Sequence, residues 1–289
     1  MMRLLTLVAA TLAFQTIAYS QNITPIDPGT AFRGASKPDI LGLNSDVSPD
    51  EARKLIERHF QNAKEGIRDN PTKLRFGPIG VSGPEYTQAL ALERFAANQA
   101  QLALPIQADN FALYFTTPAS GNRPTYISRS IVFSGNGQPA KAEYVQQIVT
   151  KYGSPTLSGG NAIFYIYQGG NVVSGAAKAD ASGIVSSLRQ PIPMDRVRAL
   201  GSCLGIASGP VGNTGMTNYL GREANLGNCE GVLAIQIQDG SAADRISFIS
   251  FRIYDFKRVL EADKIEKQIL QKMEEEKRRS TPTGAVPKL

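Results

Sequence analysis

The stretch YISRSIVFSGNGQPAKAEYVQQIVTKYGSP, Tyr126 to Pro155, reads as a strand, a turn and a short amphipathic helix. Ile127, Arg129, Ile131 and Phe133 alternate with Ser128, Ser130 and Val132, the period-two pattern of a half-buried strand. Ser134-Gly135-Asn136-Gly137 interrupts it with residues that tolerate the backbone of a tight turn. From Ala140, the positions Ala142, Val145, Ile148, Val149 and Tyr152 fall on one helical face. Gly153 then ends the helix, and Pro155 prevents its continuation.

Working outward, the same two periodicities recur. Asn110–Thr117 alternates as a strand and, across a Pro/Gly/Ser/Asn loop, makes an antiparallel hairpin with the Tyr126 strand. Ala162–Gln168, Gly231–Gln238 and Ile246–Tyr254 are further strands, the last two joined through Asp239-Gly240-Ser241. Ser48-Pro49-Asp50-Glu51 is a capping box, with Ser48 and Glu51 bonding each other's backbone and Pro49 at the first helical position. It opens a helix from Pro49 to about Lys64, with Ala52, Leu55, Ile56, Phe60 and Ala63 as its buried stripe. Pro84–Gln101 has helical composition, Leu74–Ile79 carries a short strand, and Asn171–Gln190 reads as a weak strand and loop. Phe256–Arg279 is a final helix with a narrow apolar stripe and a charged end.

The fold class is α+β: antiparallel strands with helices packed on one face, plus a C-terminal helix. The punctuation around Ser48 and Gln138 suggests a loose duplication. The organisation is a signal peptide over 1–20, a flexible lead-in over 21–38, an α+β half over 39–155 and a β-rich half over 156–255. The helix follows over 256–279, and a disordered tail over 280–289.

Met1-Met2-Arg3, the apolar run Leu4–Phe14 and the small-x-small Ala18-Tyr19-Ser20 form the pattern of a secretory leader. Its apolar run is too short to span a bilayer, so the mature chain is expected to be soluble, periplasmic or secreted. Cys203 and Cys229 are the only two cysteines, and in an exported chain they are expected to form a disulfide. The 31 basic and 25 acidic residues are mixed along the chain, which argues against a nucleic-acid interface despite the formal charge of +6.

The chemistry-bearing groups are sparse. His59 is the only histidine; with two distant cysteines it does not supply a zinc ligand set. No cofactor is expected. Gly201-Ser202-Cys203-Leu204-Gly205 formally matches a nucleophile elbow, but a Gly/Asn/Ser-rich segment follows where a helix is needed. The glycine-rich pieces Ser158–Asn161 and Gly209–Gly215 lack the lysine of a phosphate loop.

Asp39-Ile40-Leu41-Gly42-Leu43 followed by Ser48-Pro49-Asp50-Glu51-Ala52, with Lys151-Tyr152-Gly153-Ser154-Pro155 later, resembles uncharacterised exported proteobacterial proteins. The helix entry is also faintly similar to that of small outer-membrane assembly lipoproteins, although no lipobox cysteine is present and this chain is longer. The resemblance implies an envelope location and contact with an envelope protein partner, and carries no catalytic residue across. The leading expectation is a non-catalytic binding or scaffold module. The alternatives are a hydrolase assembled around His59 or Ser202/Cys203, and a secreted effector that binds its partner through the C-terminal helix.

Overall fold

The computed structural model of the chain describes residues 24–34, 37–60, 66–76, 81–95, 106–175, 180–192 and 229–280. Among them, nine antiparallel strands form one open sheet. In chain order they are β1 (Ile67–Phe76), β2 (Val81–Phe95), β3 (Ile106–Phe115), β4 (Pro124–Phe133) and β5 (Leu157–Gly159). There follow β6 (Ala162–Gln168), β7 (Asn171–Val172), β8 (Gly231–Asp239) and β9 (Ile246–Asp255). Their spatial order is β1-β2-β3-β4-β9-β8-β6-β5, with β7 pairing the far end of β6. The helices are α1 (Pro49–His59), α2 (Lys141–Tyr152), α3 (Ala181–Ser187) and α4 (Phe256–Ser280). The α+β class read from the sequence is the one observed, and β4 with α2 occupies its centre.

Period-two alternation sorts the strand residues onto two faces. On the first face, Leu113, Ile127, Ile253, Leu233 and Tyr165 line up across β3, β4, β9, β8 and β6. They meet Ala52, Ile56 and Phe60 of α1, Val145 and Ile148 of α2, and Ile184 and Leu188 of α3 in one apolar core. Each such fully buried aliphatic side chain contributes about 1.5–3 kcal/mol. The ring of Phe60 meets Phe111 edge-on, 5.5 Å between centroids, and so sets α1 on β3. The capping box is present: Glu51 N–H donates to Ser48 Oγ at 3.2 Å, and Ser48 N–H donates to Glu51 Oε2 at 2.7 Å. α4 leaves the end of β9 toward the opposite face, where Phe256 stacks on Tyr254 with rings 5.5 Å apart and nearly parallel.

Several expectations are corrected. Pro84–Gln101 is not a helix: its described part lies in β2, paired with β1 and β3, with Leu90 and Leu92 pointing together into the core. Pairing on both sides satisfies the backbone of β2, so helical composition is overridden. The Leu74–Ile79 strand is replaced by the longer β1, which carries Pro71 at a register shift on the sheet edge, where a missing donor is tolerated. Residues 180–192 contain α3, opened by Asp180 Oδ1 accepting from Gly183 N–H at 2.7 Å, where only loop was read. Asp39–Leu43, an apolar segment that reads as a strand or the approach to the next helix, instead holds the two-residue turn Leu41-Gly42, closed by mutual Ile40 and Leu43 backbone bonds of 2.9 and 3.0 Å. α1 is shorter than expected: it ends at His59, where Phe60 is extended, and residues 61–65 lie outside the described residues.

The lead-in over 21–38 is anchored rather than flexible where it is described. Ala31 and Phe32 are buried in the first-face core, and Gly231 allows this approach: a Cβ there would lie 2.7 Å from Ala31 Cβ. The anchor is a buried pair at the start of α4. Asp255 accepts from the Thr30 hydroxyl, from Ala31 N–H at 3.1 Å and from Arg258 N–H at 3.0 Å, which makes it the cap of α4. Arg258 donates from Nε to Gly29 O at 3.0 Å and from Nη1 to the carbonyls of Ser45 and Pro124. Burial pushes the Asp255 carboxyl up and the Arg258 guanidinium down, against their mutual attraction.

Candidate functional site

The first face carries a polar cluster under the end of α1. Arg129 makes a two-pronged ion pair with Asp109, Nε–Oδ1 3.0 Å and Nη2–Oδ2 2.7 Å, beneath the end of α1. Its Nη2 also lies 3.3 Å from Nε2 of His59. Because a guanidinium only donates, the Nε2 lone pair of His59 accepts, and a general base would need that lone pair itself. Burial, and then the Arg129 charge, holds the imidazole below its ordinary pKa. Arg129 is packed over Phe111 and Arg94 over Phe60, at 5.3 and 5.4 Å from the ring centroids. The cluster thus ties α1 to the sheet. Ser202, Cys203 and the Gly201–Gly205 segment lie outside the described residues, as do Gly209–Gly215 and residues 1–20.

The second face is different. Its residues form three rows across β3, β4, β9, β8 and β6. The first is aromatic and aliphatic: Tyr114, Tyr126, Tyr254, Val232 and Ile166. The second runs Ala112, Ser128, Arg252, Ala234 and Phe164, and the third Asn110, Ser130, Ser250, Gln236 and Ala162. Polarity therefore rises along the strands, from a tyrosine ladder to an arginine ringed by hydroxyls and one amide. Tyr114–Tyr126 and Tyr126–Tyr254 centroids are 5.7 and 4.9 Å apart. Burial pushes the Tyr126 phenol well above its ordinary pKa, with Tyr254 adding to the effect, so it stays protonated.

Two of these polar groups are withdrawn from water. Arg252 is 9% exposed and Ser250 3%. Arg252 Nη2 donates to Gln236 Oε1 at 3.0 Å, which orients the amide. Tyr126 Oη and Ser250 Oγ are buried without a hydrogen-bond partner among the described residues. Leaving a hydroxyl so costs about 1–3 kcal/mol.

Beside Arg252 opens a recess of about 100 Å³. Arg252 and Gln236 form its polar floor, Phe164, Ala162 and Ala234 its apolar floor, and Ile192 and Gly160 its wall. The wall is built by the β5–β6 turn: Gly160 N–H donates to Gln190 O at 2.6 Å and Asn161 N–H to Leu188 O at 2.9 Å. Gly159 permits it, since a Cβ there would meet Ile192 Cγ1 at 2.9 Å. Ser158–Asn161, glycine-rich in the sequence, is thus the turn that brings Ile192 over the sheet.

No family model, no curated protein and no solved structure matches this chain.

The recess was not singled out by sequence reading, although a signal existed. Ser128 and Ser130 on β4, and Ser250 and Arg252 on β9, occupy the phase opposite to Ile127 and Ile131 on β4 and to Ile249 and Ile253 on β9. Such alternation ordinarily marks a solvated face, and only the register between distant strands brings half-buried Ser128 and Ser130 beside buried Ser250 and Arg252. Cys229 lies fully buried at the aliphatic end of this face, its Sγ 3.9 Å from Gly231 O, while Cys203 is outside the described residues. Among the described residues no His, Cys, Asp and Glu group could hold a metal ion, and no helix is long and apolar enough to cross a membrane.

Proposed function

We propose that the chain is an exported, non-catalytic binding protein of the cell envelope that takes a small molecule in the recess beside Arg252. The observation that carries the reading is the recess itself, where the Arg252 guanidinium and the Gln236 amide stand beside an apolar floor. An apolar floor with a few convergent polar groups is the usual make-up of a ligand site. Export rests on the leader-like pattern over residues 1–20, and the Cys203–Cys229 bridge on the cysteine count and the burial of Cys229. An envelope protein that receives or presents the same ligand is the partner this reading calls for.

The test is a ligand-observed NMR screen of polar fragments of up to eight non-hydrogen atoms, run on the purified chain and on Ala162→Phe. Ala162 lines the recess and is only half-buried, so a phenyl group there fills the space without entering the core. Fragments that bind the parent and are lost from the variant support the reading. A screen with no binder, or with binders indifferent to Ala162→Phe, overturns it.

A further inference from the structure

Away from the recess, the first face of the sheet holds the histidine at the end of α1. We propose that this end is an acid-released latch: protonation of His59 breaks its bond to Arg129 and frees His59 and Phe60 from the sheet. The geometry fixes the place of the proton. Arg129 Nη2 lies 3.3 Å from His59 Nε2, and a guanidinium only donates, so the bond exists only while Nε2 carries a lone pair. A proton on Nε2 sets two donors, and two positive charges, face to face.

Arg129 is held in place. Both of its prongs bind Asp109, whose side chain is 3% exposed, and its guanidinium is packed over Phe111. His59 is the part that yields, because it is exposed and is the last residue of α1. Its ring packs edge-on against Phe60, 4.6 Å between centroids, and Phe60 in turn sits between Phe111 and Arg94. The charges around His59 come from several elements. Arg129 on β4 and Arg94 on β2 oppose its protonation, and its chain neighbour Arg58 is a further cation. Asp109 on β3 and the carbonyl end of α1 favour it. On α2, Tyr144 interacts with the same ion pair, and burial pushes its phenol up, so it stays uncharged. Partial burial first, and then Arg129, decide the balance and hold the imidazole below its ordinary value. The latch is therefore closed above the ordinary histidine range and opens as pH falls through the lowered folded value.

Hydrogen exchange of the full, untagged chain tests the latch, with protection corrected for the intrinsic pH dependence of exchange. Phe60 N–H, bonded to Ile56 O at 3.1 Å, is the reporter. From about pH 7.5 to about pH 5 its protection should fall by about threefold to tenfold, while the Leu113 and Ile127 amides keep theirs. His59→Gln keeps an acceptor for Arg129 but does not titrate, so its Phe60 protection should stay constant over that range. His59 is the only histidine, so one NMR titration reads its ionisation directly, and the midpoint should lie lower in the folded chain than in urea. Equal losses in the parent and His59→Gln, a loss shared with Leu113, or no loss in the parent each overturn the latch. So does a folded midpoint at or above the unfolded one. Should His59→Gln fail to fold, the two midpoints and the contrast between Phe60 and Leu113 in the parent decide the matter.

Discussion

Among the described residues, Leu41 is one of three non-glycines with a left-handed backbone, at φ +56°, and it sits beside Gly42 at φ +85° in the turn between Ile40 and Leu43. Two successive positive φ values define a turn that asparagine and glycine enter easily and leucine does not. The Leu41 side chain is 37% exposed, so little burial offsets the strain. Leu41→Asn is therefore expected to stabilise the protein by about 0.5–1 kcal/mol, visible as a higher urea midpoint at an unchanged slope. At this scale legibility followed distance along the chain. The Ser48–Glu51 box could be read directly because its partners are three residues apart. Arg252 could not, because Gln236 and Ser128 reach it from other strands.

Among the elements, α4 is tied to the rest of the molecule midway along its length. Glu266 accepts from the Thr117 hydroxyl at 2.7 Å and the Ser120 hydroxyl at 3.2 Å, in the connection between β3 and β4. Burial raises its pKa above the ordinary value, outweighing the two hydrogen bonds that favour the charged form. The folded state therefore holds this proton more tightly than the unfolded chain. Its contribution is full below the ordinary glutamate range and is lost as pH rises through the raised folded value. Glu266→Gln keeps an acceptor for both hydroxyls and removes the ionisation. Its chemical-denaturation stability should fall less than the parent's between pH 4.5 and 7, and parallel curves would reject this account. β2 shows why composition misleads at this scale: Ala, Gln, Leu and Glu suit a helix, but Leu90 and Leu92 are spaced for a strand and both flanking strands offer backbone partners.

At the level of the whole molecule, Arg258 holds four parts together: the segment at Gly29, the loop at Ser45, the start of β4 and α4 itself. Arg258→Met should cost about 3–5 kcal/mol, because it strips three carbonyls of their donor and leaves Asp255 buried without an opposing charge. Hydrogen exchange should show the loss first as faster exchange of the Ala31 and Phe32 amides, with β8 and β9 still protected; uniform loss of protection would mean that Arg258 is not the local anchor. The α+β class and most strands were legible because alternation is local. The anchoring of residues 24–34 was not, since it depends on Asp255 and Arg258 more than two hundred residues away.

β9 is the last strand among the described residues, yet it lies inside the sheet, with β4 on one side and β8 on the other. Tyr126 therefore waits for Tyr254 before its row is complete. Loop closure over that separation comes before any reward, which places the molecule among slow folders. Throughout synthesis the β1–β4 meander carries a long unpaired edge that no later element can close until residue 255 has emerged. That interval, rather than the finished protein, is when one copy is most exposed to joining another edge to edge.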